Sequence, residues 1–211
     1  MSDVAEPAQH AEQAGEFWDR RFSQKPWPVD PDPLLVEVAT PLLPGRALDV
    51  GSGPGRNSLW LAARGWAVTA VDVSAVALQQ AQQRAAMAGL RLRTERADVL
   101  TWPAPIASYE LVVLANLHPG EAELSALLRR LVAGLVPGGH LFVVGHDLSN
   151  LGRHGPPDPA LLLTVERLAA ALPAELVVER LERLVRAQPS AGGPATADAA
   201  VLVWARVPAV P

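Results

Sequence analysis

Leu48-Asp49-Val50-Gly51-Ser52-Gly53-Pro54-Gly55-Arg56-Asn57 is the stretch on which the fold turns. The apolar run Ala47 to Val50 reads as a strand, three glycines make a turn, and a helix follows from about Arg56 to Arg64. Glycines at a strand-to-helix turn let the backbone pass close to a ligand. The helix N-terminus beyond them presents N–H groups and a partial positive charge, so a polar or anionic ligand group belongs there.

Outward from this turn the same alternation repeats. A second strand spans Ala67 to Val71, Ser74 caps a helix to Met87, and strands follow near Leu90 to Thr94 and Leu111 to Ala115. A helix over about Glu121 to Leu135 precedes the apolar run His140 to Gly145, and another helix lies near Ala160 to Leu172. Strands at Leu176 to Glu179 and Ala200 to Ala205 flank an Ala/Gly/Pro connection expected to be flexible. Near-continuous apolar strands alternating with helices mean a doubly wound α/β domain, a mostly parallel sheet covered on both faces. Upstream, residues 8–24 read as a helix ended by the Pro-rich stretch Pro26 to Pro33, with a short helix over Leu34 to Thr40. Residues 1–33 are therefore expected to form a helix and loop covering the site, and residues 34–211 a single globular domain.

Composition narrows the chemistry. A chain of 211 residues buries roughly 70% of its unfolded surface and needs no staples. With no cysteine, disulfides, thiolate nucleophiles and cysteine-ligated metals are excluded. Net charge is −4 and Lys25 is the sole lysine, the arginines being scattered, which argues against capture of nucleic acid or an anionic membrane. Met1 to Glu16 lacks the basic start and apolar run of a signal peptide, so the expectation is a cytoplasmic protein, monomer or homodimer, with a small-molecule partner.

The glycine spacing discriminates among nucleotide folds. After Gly51 and Gly53 a dinucleotide fingerprint needs glycine where Arg56 stands, and Gly55 gives G-x-G-x-G instead, which counts against a nicotinamide-dependent oxidoreductase. No G-x-x-x-x-G-K-[ST] loop exists. Asp72 ends the second strand 21 residues beyond Gly51, where a carboxylate can accept hydrogen bonds from ribose hydroxyls.

The run Asp49 to Arg56, the strand-end Asp72 and the later Ala97-Asp98-Val99 resemble the class I S-adenosylmethionine-dependent methyltransferases. Gly55-Arg56-Asn57-Ser58-Leu59-Trp60-Leu61-Ala62, with Gly65-Trp66 and Val71-Asp72, is similar to the tellurite-resistance and thiopurine-type small-molecule members. The resemblance implies a Rossmann-like sheet of seven strands with the last antiparallel, and S-adenosylmethionine as cofactor. It places Asp49 and the loop residues Gly51, Ser52, Gly53 and Gly55 at the methionine portion. It puts Asp72 at the ribose with Val73 beside it, Asp98 and Val99 at the adenine edge, and Ala115 and Asn116 near the methionine amine and methyl group. Arg56, a cation opposing its helix dipole, calls for an anion nearby, either the cofactor carboxylate or a neighbouring acid.

Ligands in open α/β sheets sit beyond the strand carboxyl ends, so Asn116-Leu117-His118 and Gly145-His146-Asp147 face the substrate. Asn116-Leu117-His118-Pro119 lacks the Pro-Pro-aromatic run of amino-group DNA methylation, and the acceptor expected is an oxygen, sulfur or other nucleophile of a small, largely apolar molecule. His118, the favoured base, and His146 can accept its proton near neutral pH, or either can be a structural hydrogen-bonding residue. His118, His146 and Asp147 carry no metal-ligand spacing, and no metal is expected. Trp18 and Phe22 either close over a sulfonium or anchor their helix, and Trp27 and Asp147 are assigned to the substrate side or lid. The long loop Asp147 to Pro159 is where specificity is sought. A cofactor-binding protein without turnover remains the alternative of a different class.

Overall fold

A computed structural model describes residues 5–188 and 196–209. Its elements are α1 (Ala5–Gln24), α2 (Pro33–Ala39), β1 (Arg46–Val50), α3 (Arg56–Ala63), β2 (Ala67–Asp72), α4 (Ala75–Met87), β3 (Arg93–Arg96) and β4 (Tyr109–Ala115). They continue with α5 (Glu121–Ala133), β5 (Leu135–His146), α6 (Val165–Ala171), β6 (Val177–Gln188) and β7 (Thr196–Arg206). One sheet runs in the order β3-β2-β1-β4-β5-β7-β6. β1 to β5 pair in parallel, and β7 is antiparallel to both β5 and β6. The order reverses between β1 and β4, and that switch point is where such sheets bind ligands.

Period-2 alternation feeds two cores from the same strands. Leu48, Val50, Val112 and Leu114 join Leu124, Leu128, Leu131 and Leu168 on the α5/α6 face. Ala47, Leu111, Val113 and Phe142 join Leu35, Leu61 and Trp204 on the α2/α3 face. Asp49, in step with Ala47, is thereby turned to α3, where the hydroxyl of Ser58 donates to it at 2.5 Å.

Several boundaries depart from expectation: β5 already starts at Leu135, paired with Tyr109, rather than at His140, and β7 starts at Thr196 rather than Ala200. Gly89, at φ +66°, closes α4 with the Leu90 amide bonded to the Ala85 carbonyl, so pairing of β3 starts only at Arg93 rather than Leu90. The helix expected from Ala160 begins at Val165, capped by Thr164, because Leu163 is drawn into a parallel bridge with Asp147. β6 runs to Gln188 instead of Glu179, paired with β7 along its length. Its charges suit an edge strand, with Arg180 bonded to Glu182 and Glu37. The Ala/Gly/Pro connection lies outside the described residues, at 189–195.

Candidate functional site

The glycine turn is built by backbone conformation. Gly51, Gly53 and Gly55 all have positive φ, at +65°, +52° and +79°, a region L-residues rarely adopt. The amides of Gly51 and Ser52 donate to the Val71 carbonyl at 2.8 and 3.2 Å, and the Gly53 amide donates to Asp72 Oδ2 at 2.8 Å. Asp72 Oδ1 accepts from the Ser74 amide, also at 2.8 Å. One strand-end carboxylate thus fixes the turn on one side and the start of α4 on the other. Each oxygen keeps a further lone pair for a ligand hydroxyl. Burial pushes the Asp72 carboxyl above its ordinary value, against the pull of these backbone donors.

The flank and cover of the turn follow. The Ala97 amide donates to the Asp72 carbonyl at 3.0 Å, bringing Asp98 and Val99 beside the β2 end. Asp98 turns the chain there by accepting from the Leu100 amide at 2.9 Å, and Val99 is buried. The Val73 carbonyl accepts from Arg96 at 3.2 Å, and α1 crosses Val73 at Gly15, whose added Cβ would stand 3.3 Å from that carbonyl. Asp19 of α1 accepts from the Ser74 hydroxyl and from the Val76 amide at 3.0 Å, capping α4 from outside.

Phe22 lies over the turn, 3.4 Å from where a Cβ on Gly53 would be. Trp18 and Trp27 pack on it with centroids 5.6 and 4.8 Å away, and Arg21 sits 5.6–5.9 Å from the Phe17, Trp18 and Trp27 rings. After β4, Asn116 adopts φ +58° while its amide donates to the Val144 carbonyl at 2.8 Å. The next residue, Leu117, reaches back to Gly51, its Cδ1 3.2 Å from an added Cβ. Strain at a non-glycine residue on the carboxyl edge marks a positioned segment. Ala115 just precedes it, half-buried.

Arg56 resolves toward a protein partner, lying 3.5 Å from Asp32, which also caps α2. Asp147 is turned to β6, accepting from Arg183 Nε and the Ser149 amide, both at 3.0 Å. Burial raises its carboxyl, but these donors outweigh burial and hold it below the ordinary value. His118 and His146 do come together, their rings stacked at 5.4 Å and 20°. At His118, Nδ1 faces the Leu161 carbonyl at 3.0 Å. Burial, then the proximity of His146, pushes its imidazole down to about 4. Among the described residues no three His, Asp or Glu side chains converge as metal ligands. No described helix is long and apolar enough to cross a membrane.

Sequence reasoning missed Asp19, Ser58, Asn150 and Asp198. Asp198 had a signal, an acid within an apolar strand. It is 4% exposed and accepts from Asn150 Nδ2 at 2.8 Å.

Residues 47–139 match a family described as a methyltransferase domain. An uncharacterized methyltransferase of Mycobacterium tuberculosis is 43% identical over 112 residues, 52% of this chain and 55% of that protein. The chain spans from a third to about six-tenths of the length of the curated relatives it matches. A structure concerned with the conversion of a disulfide bond into a thioacetal group during echinomycin biosynthesis has a TM-score of 0.75 at 22% identity, covering 92% of both chains. The N-methyltransferase NodS of Bradyrhizobium japonicum, in complex with S-adenosyl-L-homocysteine, has a TM-score of 0.69 at 21% identity, covering 92% of this chain and 98% of NodS.

Proposed function

We propose that this chain is a class I S-adenosylmethionine-dependent methyltransferase that transfers the methyl group to an oxygen, sulfur or similar nucleophile of a small, largely apolar molecule. The observation that carries the reading is the Asp72 carboxylate, which ties Gly53 to Ser74 and retains acceptor capacity beside a cradle of positive-φ glycines. These residues fit the cofactor: Asp72 would hold the ribose, Asp98 and Val99 the adenine edge, and Asp49 with Gly51, Ser52, Gly53 and Gly55 the methionine portion. Bound there, the cofactor supplies a sulfonium-activated methyl whose bonding electrons stay with sulfur as the acceptor's lone pair takes the carbon. The protein's share is positioning and exclusion of water, which supplies much of the acceleration in such displacements. Phe22, Trp18 and Trp27 cover the turn and favour an apolar acceptor.

The experiment is a thermal shift with S-adenosylmethionine, S-adenosylhomocysteine and NAD, followed by labelled-methyl incorporation into phenols, thiols and ribosomal RNA. A ligand at a hundred times its Kd adds about 2.7 kcal/mol, or roughly 5–10 °C for this size. A shift with NAD alone refutes the cofactor assignment. Label entering RNA and no small acceptor refutes the acceptor class, and a shift without any transfer leaves a cofactor-binding protein.

Asp72→Ala should weaken S-adenosylhomocysteine binding about 5- to 150-fold, the equivalent of roughly 1–3 kcal/mol of charge-assisted hydrogen bonding. Calorimetry is the readout, with urea denaturation alongside to separate binding from folding. Unchanged affinity in a folded variant removes Asp72 from the ribose.

A further inference from the structure

Arg130 stands in the last turn of α5, where a cation complements the helix dipole and usually reaches into solvent. Here it is turned back onto the segment that follows β3. Its Nη2 donates to the Val99 carbonyl at 3.0 Å and also to the Leu100 carbonyl, 30 residues upstream. Among the described residues, its Nε is the one buried side-chain nitrogen or oxygen without a hydrogen-bond partner. Stability alone does not select that arrangement, since a buried donor left unpaired costs free energy that an apolar side chain on the same helix would avoid. A helix-end cation explains why α5 carries an arginine there. It does not explain the hold on two consecutive carbonyls.

That hold sets the direction of the backbone at residues 98–100. In a planar trans peptide the carbonyl of one residue and the N–H of the next point opposite ways. The Asp98 carbonyl accepts from the amides of Thr101 and Trp102 at 3.1 and 2.8 Å, and Arg130 takes the next two carbonyls. All three peptide planes are thereby fixed. The Leu100 amide donates to Asp98 Oδ1 at 2.9 Å. The Val99 amide, opposite the Asp98 carbonyl, donates to no group among the described residues, although Val99 is buried. Buried backbone N–H groups are rarely left so. This amide lies two residues beyond Ala97, whose own amide is bonded at 3.0 Å to the Asp72 carbonyl at the carboxyl end of β2.

We propose that Arg130 is the positioning residue for the cofactor's base: by holding the Val99 and Leu100 carbonyls it keeps the Val99 amide turned out as a donor, which selects adenine over hypoxanthine. This rests on the methyltransferase reading, which puts Asp98 and Val99 at the adenine edge. Hypoxanthine carries an N–H and a carbonyl where adenine carries the N1 acceptor and the amino group, so a fixed backbone donor meets another donor. A buried site built to hydrogen-bond one edge rejects the ligand that leaves its groups unpaired. Arg130 itself touches no part of the base. Without its two hydrogen bonds the peptide planes at 98–100 are no longer held, and the preference goes with them.

Calorimetry of the full chain with S-adenosylhomocysteine and with S-inosylhomocysteine, its hypoxanthine analogue, tests this without turnover. The ratio of the two dissociation constants is the readout, because a fall in the competent fraction of a weakened variant scales both alike and cancels. The unmodified protein should prefer the adenine ligand about 10- to 100-fold, and Arg130→Met should bring that preference below about threefold. Arg130→Lys, which offers a point charge in place of the planar fork, should fall between the two, and it carries the comparison if Arg130→Met does not fold. Full preference in either variant overturns the proposal and leaves Arg130 a structural residue. An unmodified protein that binds both ligands equally overturns it too. Failure of the methyltransferase reading is told apart by the absence of any S-adenosylhomocysteine binding in the unmodified protein.

Discussion

Gly55→Val is expected to destabilise the fold by about 2–5 kcal/mol and to abolish the thermal shift with S-adenosylhomocysteine. Two costs add. Gly55 is the N-cap of α3 at φ +79°, where an L-residue loses roughly 1–2 kcal/mol and a β-branched one more. A Cβ there would also stand 2.9 Å from Ala81 Cβ, on the fully buried face of α4, and overpacking of that kind costs about 1–3 kcal/mol. Gly152→Val separates the terms, since Gly152 has nearly the same φ, +75°, with nothing within 4 Å of an added Cβ. Urea denaturation of the two variants should differ by the packing cost. If they are equally stable, the close approach of α3 and α4 is not what selects glycine at position 55.

Asp49→Asn should make the protein more stable at pH 8, by on the order of 2–3 kcal/mol, while weakening S-adenosylmethionine binding. Burial, opposed by the Ser58 hydrogen bond and the Arg56 charge, pushes the Asp49 carboxyl from 3.8 up to about 6. A raised value means the native state holds the proton more tightly than the unfolded chain does. The stability this contributes is complete below about 3.8 and lost as pH rises through about 6. Above that the protein carries a buried carboxylate at a cost that asparagine avoids. The advantage of the variant should therefore shrink between pH 6 and pH 4. His118 tilts the other way, contributing stability above 6.5 that is lost as pH falls toward about 4, but it does so in both proteins and cancels in the difference. A pH-independent difference between the denaturation midpoints would show that Asp49 is not the buried charge described. An acid kept ionised at such cost suits the proposal that Asp49 meets the methionine portion of the cofactor.

The parts of the fold legible in the sequence are those whose signals are local. β1, the glycine turn, α3, β2 and the Ser74-capped α4 fall within a residue or so of expectation, because strand, turn and cap chemistry agree there. β6 was legible only at its start. Glu179, Arg180, Glu182 and Arg183 break the apolar run, and what makes the segment a strand is its long pairing with β7. Leu162 and Leu163 carry helix-compatible chemistry and are pulled out of α6 by Asp147, a contact no local rule contains. In the site the same division holds. Asp49, the glycines and Asp72 announce themselves through a motif of fixed spacing. Asn150 and Asp198, 48 residues apart, meet only once β5 and β7 have paired. Arg56 showed its need for an anion but not that Asp32 answers it.

The polar chain from the Gly53 amide through Asp72 and Ser74 to Asp19 joins four segments: the turn, β2, α4 and α1. Linkage is reciprocal, so a ligand that tightens the turn through this chain must favour docking of α1 by the same factor by which docking favours the ligand. Affinity measured at the turn then includes a contribution from the ordering of a helix whose Asp19 lies 34 residues before Gly53 in sequence. Single substitutions along that chain should not add, and the apparent strength of any one hydrogen bond in it is a property of how many of the others are still made.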